Sequence, residues 1–134
     1  MKEPTWVLRE VVHALHERLL AEFGGPIGVR DHGMLESALS RPNNQFAYGS
    51  SNIIQLAAAY AFGLVRNHPF VDGNKRIGFA TAVLFLELNG YHFKASEVDA
   101  TVQTLALAAG ELDEAGYAVW LKTNSANVRS SSKA

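Results

Sequence analysis

His68, Asp72, Asn74, Lys75 and Arg76 crowd into the nine residues "HPFVDGNKR". Histidine exchanges a proton near neutral pH and can serve as a general base. An aspartate such as Asp72 can hold a metal ion that bridges phosphates or orient a neighbouring group. Asn74 can donate to a phosphate oxygen or brace the loop. Arg76 offers phosphate a planar fork of donors, and Lys75 a mobile point charge. Gly73 lets backbone come close to a bound group. Pro69 fixes the chain direction after His68, and Phe70 reads as an apolar peg holding the loop to the core. The chemistry such a set suits is the handling of phosphate.

The elements on either side must position these groups. "IIQLAAAYAFGLV" before the loop and "IGFATAVLFLELNG" after it are apolar nearly all round, which predicts two buried central helices. His68 to Gly73 then joins the end of one to the start of the next. A helix start carries unpartnered N–H groups and partial positive charge, a ready place for an anion. Lys75 and Arg76 fall in that first turn, where the dipole alone disfavours cations. A multiply charged anion visiting the turn accounts for them. Arg66 falls in the last turn of the preceding helix, where its charge suits the dipole.

The rest of the chain reads as helices and short loops, with no sustained strand alternation. In "TWVLREVVHALHERLLAEF", Val7, Val11, Leu15 and Leu19 form one stripe, Thr5 is the N-cap and Gly24-Gly25 the stop. Asp31 caps a helix over "GMLESALSR" that ends before Pro42, leaving "PNNQFAYGSSN" as a loop. Two amphipathic helices follow, about Ser96 to Ala109 and Asp113 to Lys122. The fold class is all-α: a single domain over residues 1–124, about six helices around the two central ones, with residues 125–134 a flexible polar tail.

Composition excludes several classes. The 134 residues are 48% hydrophobic, too many for a disordered chain. Net charge is −1 and no basic stripe exists, so neither nucleic acid nor an anionic membrane is an expected partner. Cysteine is absent, which excludes disulfides and thiolate metal sites. No signal-peptide stretch opens the sequence and no apolar run is long enough to span a bilayer. A cytoplasmic location is the expectation. His13 and His16 share a helix face without a carboxylate at ligand spacing and read as surface or packing residues. His32 and His92 sit alone in loops.

Ordinary readings stand beside each residue of the motif. Asp72 can be an N-cap, Asn74 a brace for the backbone, Lys75 and Arg76 a solvated face, and His68 a helix-end residue favoured by the dipole. Together the residues favour a phosphate site, because a base, a metal ligand, anion donors and a glycine converge on one helix start.

The motif resembles that of the Fic/Doc superfamily, roughly His-Pro-Phe-x-Asp/Glu-Gly-Asn-Gly/Lys-Arg. "ALHERLLAEFGGPIGVRDHGMLESALSRPNNQF" and "TAVLFLELNGYHF" resemble segments flanking it in the Doc (death-on-curing) toxins. The likeness runs from about Val7 to Leu121 and implies a compact helical fold. Fic adenylyltransferases have glycine where this chain has Lys75, and a second arginine where it has Phe79. Lysine at that place is typical of Doc, a protein kinase.

The resemblance implies ATP as substrate with Mg2+, and a toxin of a type II toxin–antitoxin system that phosphorylates a threonine of elongation factor Tu and halts translation. By the same likeness His68 takes the hydroxyl proton and Asp72 orients the site or holds Mg2+. Gly73, Asn74, Lys75 and Arg76 contact phosphates, Arg66 aids nucleotide or target binding, and Phe70 anchors the loop. A Phd-type antitoxin is the implied partner. No Ser or Thr has Glu four residues later, so the inhibitory helix pattern of some Fic proteins is not encoded. AMP transfer by the same motif, and a catalytically silent relative that only binds a partner, are the alternatives.

Overall fold

In the computed structural model, residues 2–49 and 51–128 are described. They form α1 (Arg9–Phe23), α2 (His32–Ala47), α3 (Ile53–Asn67), α4 (Asn74–Leu88), β1 (Tyr91–Phe93), α5 (Glu97–Ala109), α6 (Glu114–Thr123) and β2 (Ser125–Asn127). The all-α expectation holds: six helices carry the fold, and the sheet is one antiparallel pair of three-residue strands.

Local chemistry sets most helix starts. Asn52 Oδ1 accepts from Gln55 N while Gln55 Oε1 accepts from Asn52 N, a reciprocal cap that opens α3. Asp31, Ser96 and Asp113 cap α2, α5 and α6 through the backbone N–H three residues on. The centre is α3, whose Leu56, Ala57, Ala58, Ala59, Ala61 and Leu64 are wholly buried. It packs against α4 on one side and α2 and α6 on others. Small residues permit the closeness. A methyl group on Gly78 of α4 would sit 2.6 Å from Val65 Cγ2, and one on Gly63 of α3 would sit 3.0 Å from Ala38 Cα.

Several expectations are corrected. Thr5 does not cap α1; Leu8 holds that position without a side-chain bond. Thr5 is tied to the far end of α4 instead: its N–H donates to Asn89 Oδ1 at 2.8 Å, and Asn89 Nδ2 donates to its carbonyl at 2.9 Å. The buried stripe of α1 is Val12, His16 and Leu20, one residue round from the expected one, and Val11 faces solvent.

The second helix does not stop before Pro42. It runs through the proline to Ala47, so residues 42–47 are helix rather than loop. Tertiary contacts outweigh the missing N–H here. Arg41 donates to Glu114 Oε1 through both Nε and Nη2, Gln45 donates to Glu114 Oε2, and Phe46 meets the Trp6 ring edge-on at 5.7 Å.

Strands occur where none was expected, and the tail does not begin at residue 125. Phe93 pairs with Ser125 and Tyr91 with Asn127, and Val128 N donates to Gly90 O. Residues 129–134 of that expected tail lie outside the described residues. His32 is the first residue of α2 and His92 lies in β1, beside Glu87, rather than in loops.

Candidate active site

Phe70 is the fixed point of the loop between α3 and α4. It is 1% exposed, and its ring stacks on His16 of α1 with centroids 3.8 Å apart. Its backbone is held by Asn74: Oδ1 accepts from Phe70 N and Nδ2 donates to Phe70 O, each at 2.9 Å. Asn74 is itself buried. Of its two anticipated uses, the structure gives it the brace; its amide is turned inward to Phe70 rather than outward to a phosphate.

A second strand of chain grips the loop from the other side. Arg30 N and Asp31 N donate to Pro69 O, Val71 N donates to Gly28 O, and Val29 bridges Phe70 antiparallel. Arg30 then reaches further. Its Nε donates to His68 O at 2.7 Å and its Nη2 to Asn67 O at 3.0 Å. His68 ends α3 with φ 53° and ψ 52°, the only non-glycine residue with positive φ among the described residues. Such a conformation costs a side-chain-bearing residue energy unless its surroundings hold it. The guanidinium fork supplies that hold, and the imidazole stays exposed.

Asp72 is exposed, and its Oδ1 accepts from Gly73 N at 2.8 Å. It is not the N-cap of α4. Gly73 occupies that position at φ 80°, and no side chain caps this helix. The donors of its first turn are therefore left to solvent or a ligand. Gly73 is required for its positive φ; an added methyl would itself meet ordinary contact distances, 3.4 Å from His16 Nε2. Asp72 lies close to the chain just after α1: a methyl on Gly25 would sit 2.4 Å from Asp72 Oδ2.

Lys75 and Arg76 are exposed in the first turn of α4, as expected. The Arg76 guanidinium lies over the Phe23 ring at 4.5 Å. Arg66 does close α3, but its guanidinium is turned to Phe62, 5.6 Å from the ring centroid, and toward Gly110. The structure thus gathers His68, Asp72, Lys75 and Arg76 on one loop and helix start. It points Arg66 toward the α5–α6 connection.

Arg30 and His16 were missed by sequence reasoning. Arg30 stood in a breaker-rich loop, and nothing local pointed to the carbonyls of Asn67 and His68, 37 and 38 residues away, that it reaches. His16 carried a signal, for it fills the middle of the Val12–His16–Leu20 stripe, where an apolar residue is the ordinary choice. It is 3% exposed, and its Nε2 lies 2.8 Å from the Asp72 carbonyl oxygen. A recess of about 160 Å3 beside it is lined by His13, Glu17, Ile27 and Phe70 among others. A larger one of about 270 Å3 lies away from the loop, against Gln45, Gln55 and Glu114.

The loop thus joins a buried anchor at Phe70, an exposed histidine held at the end of α3 and an uncapped start of α4 bearing two cations. The profile of the Fic/DOC family matches residues 6–86, and the chain belongs to that family. It is 32% identical over 114 residues to "Protein kinase doc" of Escherichia phage P1, a match covering 84% of this chain and 90% of the phage protein. It is 45% identical over 76 residues to "Toxin Doc" of Mycolicibacterium smegmatis (strain ATCC 700084 / mc(2)155), covering 54% of this chain and 58% of that relative. No helix among the described residues is long and apolar enough to cross a membrane.

Proposed function

We propose that this protein is a Doc-like toxin kinase that moves the γ-phosphate of ATP to a hydroxyl side chain of a translation factor. The observation that carries the reading is the uncapped start of α4, with Lys75 and Arg76 in its first turn and His68 held at the facing end of the same loop. Phosphoryl transfer asks mostly for positioning and for charge opposite the transferred group. His68 takes the hydroxyl proton, a contribution of about 10²–10⁴-fold. The free donors of α4, Lys75 and Arg76 bind the phosphates.

Magnesium suits Asp72. It binds through one or two carboxylates and substrate phosphates rather than in an all-protein cage. Bound there, the ion would neutralise phosphate charge.

One structural observation favours phosphate transfer over AMP transfer. Phe79, where adenylyltransferases of the resemblance carry a second arginine, lies in an aromatic cluster with Phe93 at 5.7 Å and Trp120 at 6.2 Å. That position serves packing and offers no phosphate clamp. By likeness to the toxins, elongation factor Tu is the first target to try and a Phd-type antitoxin the partner.

The test is label transfer from ATP carrying label at the α- or the γ-phosphate, with Mg2+ and elongation factor Tu. Label from the γ-position alone is expected, lost in His68→Ala. Label from the α-position would overturn the kinase reading.

A further inference from the structure

We propose that His16 is a positioning residue for the loop that carries Asp72 and leads into α4, acting through its ring N–H. This rests on the reading of that loop as the active site. A carbonyl oxygen only accepts, so the 2.8 Å contact with Asp72 O requires the proton on Nε2. The same ring stacks on Phe70, with planes 19° apart, and touches the space beside Gly73 Cα that a methyl would fill. One buried side chain of α1 therefore holds the loop at Phe70 and at Asp72, beside Gly73.

The consequence is geometric. Asp72 is exposed, and its side chain is secured only through local contacts, to Gly73 N and against Gly25. The bond from His16 holds the carbonyl inward, which faces the carboxylate out and sets the direction in which α4 begins. A group that holds reacting parts in place acts on the rate even when it lies behind them. An apolar side chain at position 16 would complete the stripe of α1 and leave this carbonyl unheld.

Two substitutions separate the ring from its proton. His16→Phe keeps a ring to stack on Phe70 and removes the donor. His16→Gln loses the ring and places an amide N–H near the position of Nε2. Label transfer from γ-labelled ATP and hydrogen exchange at the Gly73 and Asn74 amides are measured on both, with melting temperature alongside. The expected result is a fall of about tenfold in kcat and faster exchange in His16→Phe at a near-normal melting temperature, with His16→Gln recovering most of both. Wild-type kcat and unchanged exchange in His16→Phe would overturn the proposal.

If the wild-type protein transfers no phosphate, the kinase reading fails by itself, and the exchange rates still decide whether His16 holds the loop. If His16→Phe does not fold, His16→Gln and the 15N spectrum of the wild-type ring decide. An Nε2–H tautomer with wild-type exchange in His16→Gln supports the role, and an Nδ1–H tautomer refutes it.

Discussion

Asn74 and Phe70 form a closed two-bond ring, the amide of one matching the N–H and C=O of the other at 2.9 Å each. A side chain thus completes the backbone pairing of the buried residue that anchors the loop. Both groups are out of water, so losing either bond leaves a polar atom unpaired. Asn74→Ala is expected to cost about 1–3 kcal/mol. Asn74→Asp should cost more, because a carboxylate oxygen would then face the Phe70 carbonyl. Urea unfolding of the two variants ranks them, and an Asp variant as stable as wild type would contradict the geometry.

Arg30 holds His68 from behind, and charge alone does not explain how. Its Nε and Nη2 reach two different carbonyls, those of His68 and Asn67. Lysine cannot span both as a fork. Arg30→Ala and Arg30→Lys should both lower label transfer, by about tenfold on the strength of one or two charge-assisted bonds. Stability should fall by only about 1 kcal/mol, because the side chain is exposed. Full transfer by the lysine variant would show that the charge, not the fork, matters.

Tyr60 and Tyr117 predict an alkaline limit. Burial pushes each phenol up from 10 to about 12, against a lesser downward pull from hydrogen bonds to Val7 and Thr104. Unfolded, each ring loses its proton near pH 10, whereas folded it keeps it to about 12. The stability from both is therefore complete below pH 10 and is lost as pH rises through about 12, roughly 3 kcal/mol for each. Denaturant melts at pH 9 and pH 11.5, with tyrosinate absorbance as the second probe, should show unfolding and ionisation together.

Thr81 gives the opposite kind of variant. Its hydroxyl is fully buried on α4 and, among the described residues, has no hydrogen-bond partner. Thr81→Val keeps the branched shape and removes the unpaired oxygen. A gain of about 1 kcal/mol is expected in urea unfolding, with label transfer unchanged. A loss would mean that the oxygen has a partner in solution.

The starts of α2, α5 and α6 were legible because their causes are local, with Asp31, Ser96 and Asp113 each accepting from an N–H just after them. Thr5, by contrast, is drawn away from α1 by Asn89 and leaves Leu8 at its start. The passage of α2 through Pro42 was not legible, because Arg41, Gln45 and Phe46 are held by residues far away in sequence. Strands of three residues are too short to show alternation, and β2 exists only because β1 is beside it. At the site, the motif announced its residue types but not their directions. Asn74 turns inward, Arg66 turns away, and the supports Arg30 and His16 come from parts of the chain that the motif does not include.

Thr5 and Val128 are both fastened at the far end of α4, one to Asn89 and the other to Gly90. Fifteen residues of helix, about 20 Å, separate that end from the loop. A dye, surface linker or fused domain attached before Thr5 or after Val128 would therefore leave from the pole opposite the motif. Joining these two positions through a short linker would open the chain to circular permutation, with new ends cut at Tyr48–Gly49, and the HPFVDGNKR loop would remain unbroken.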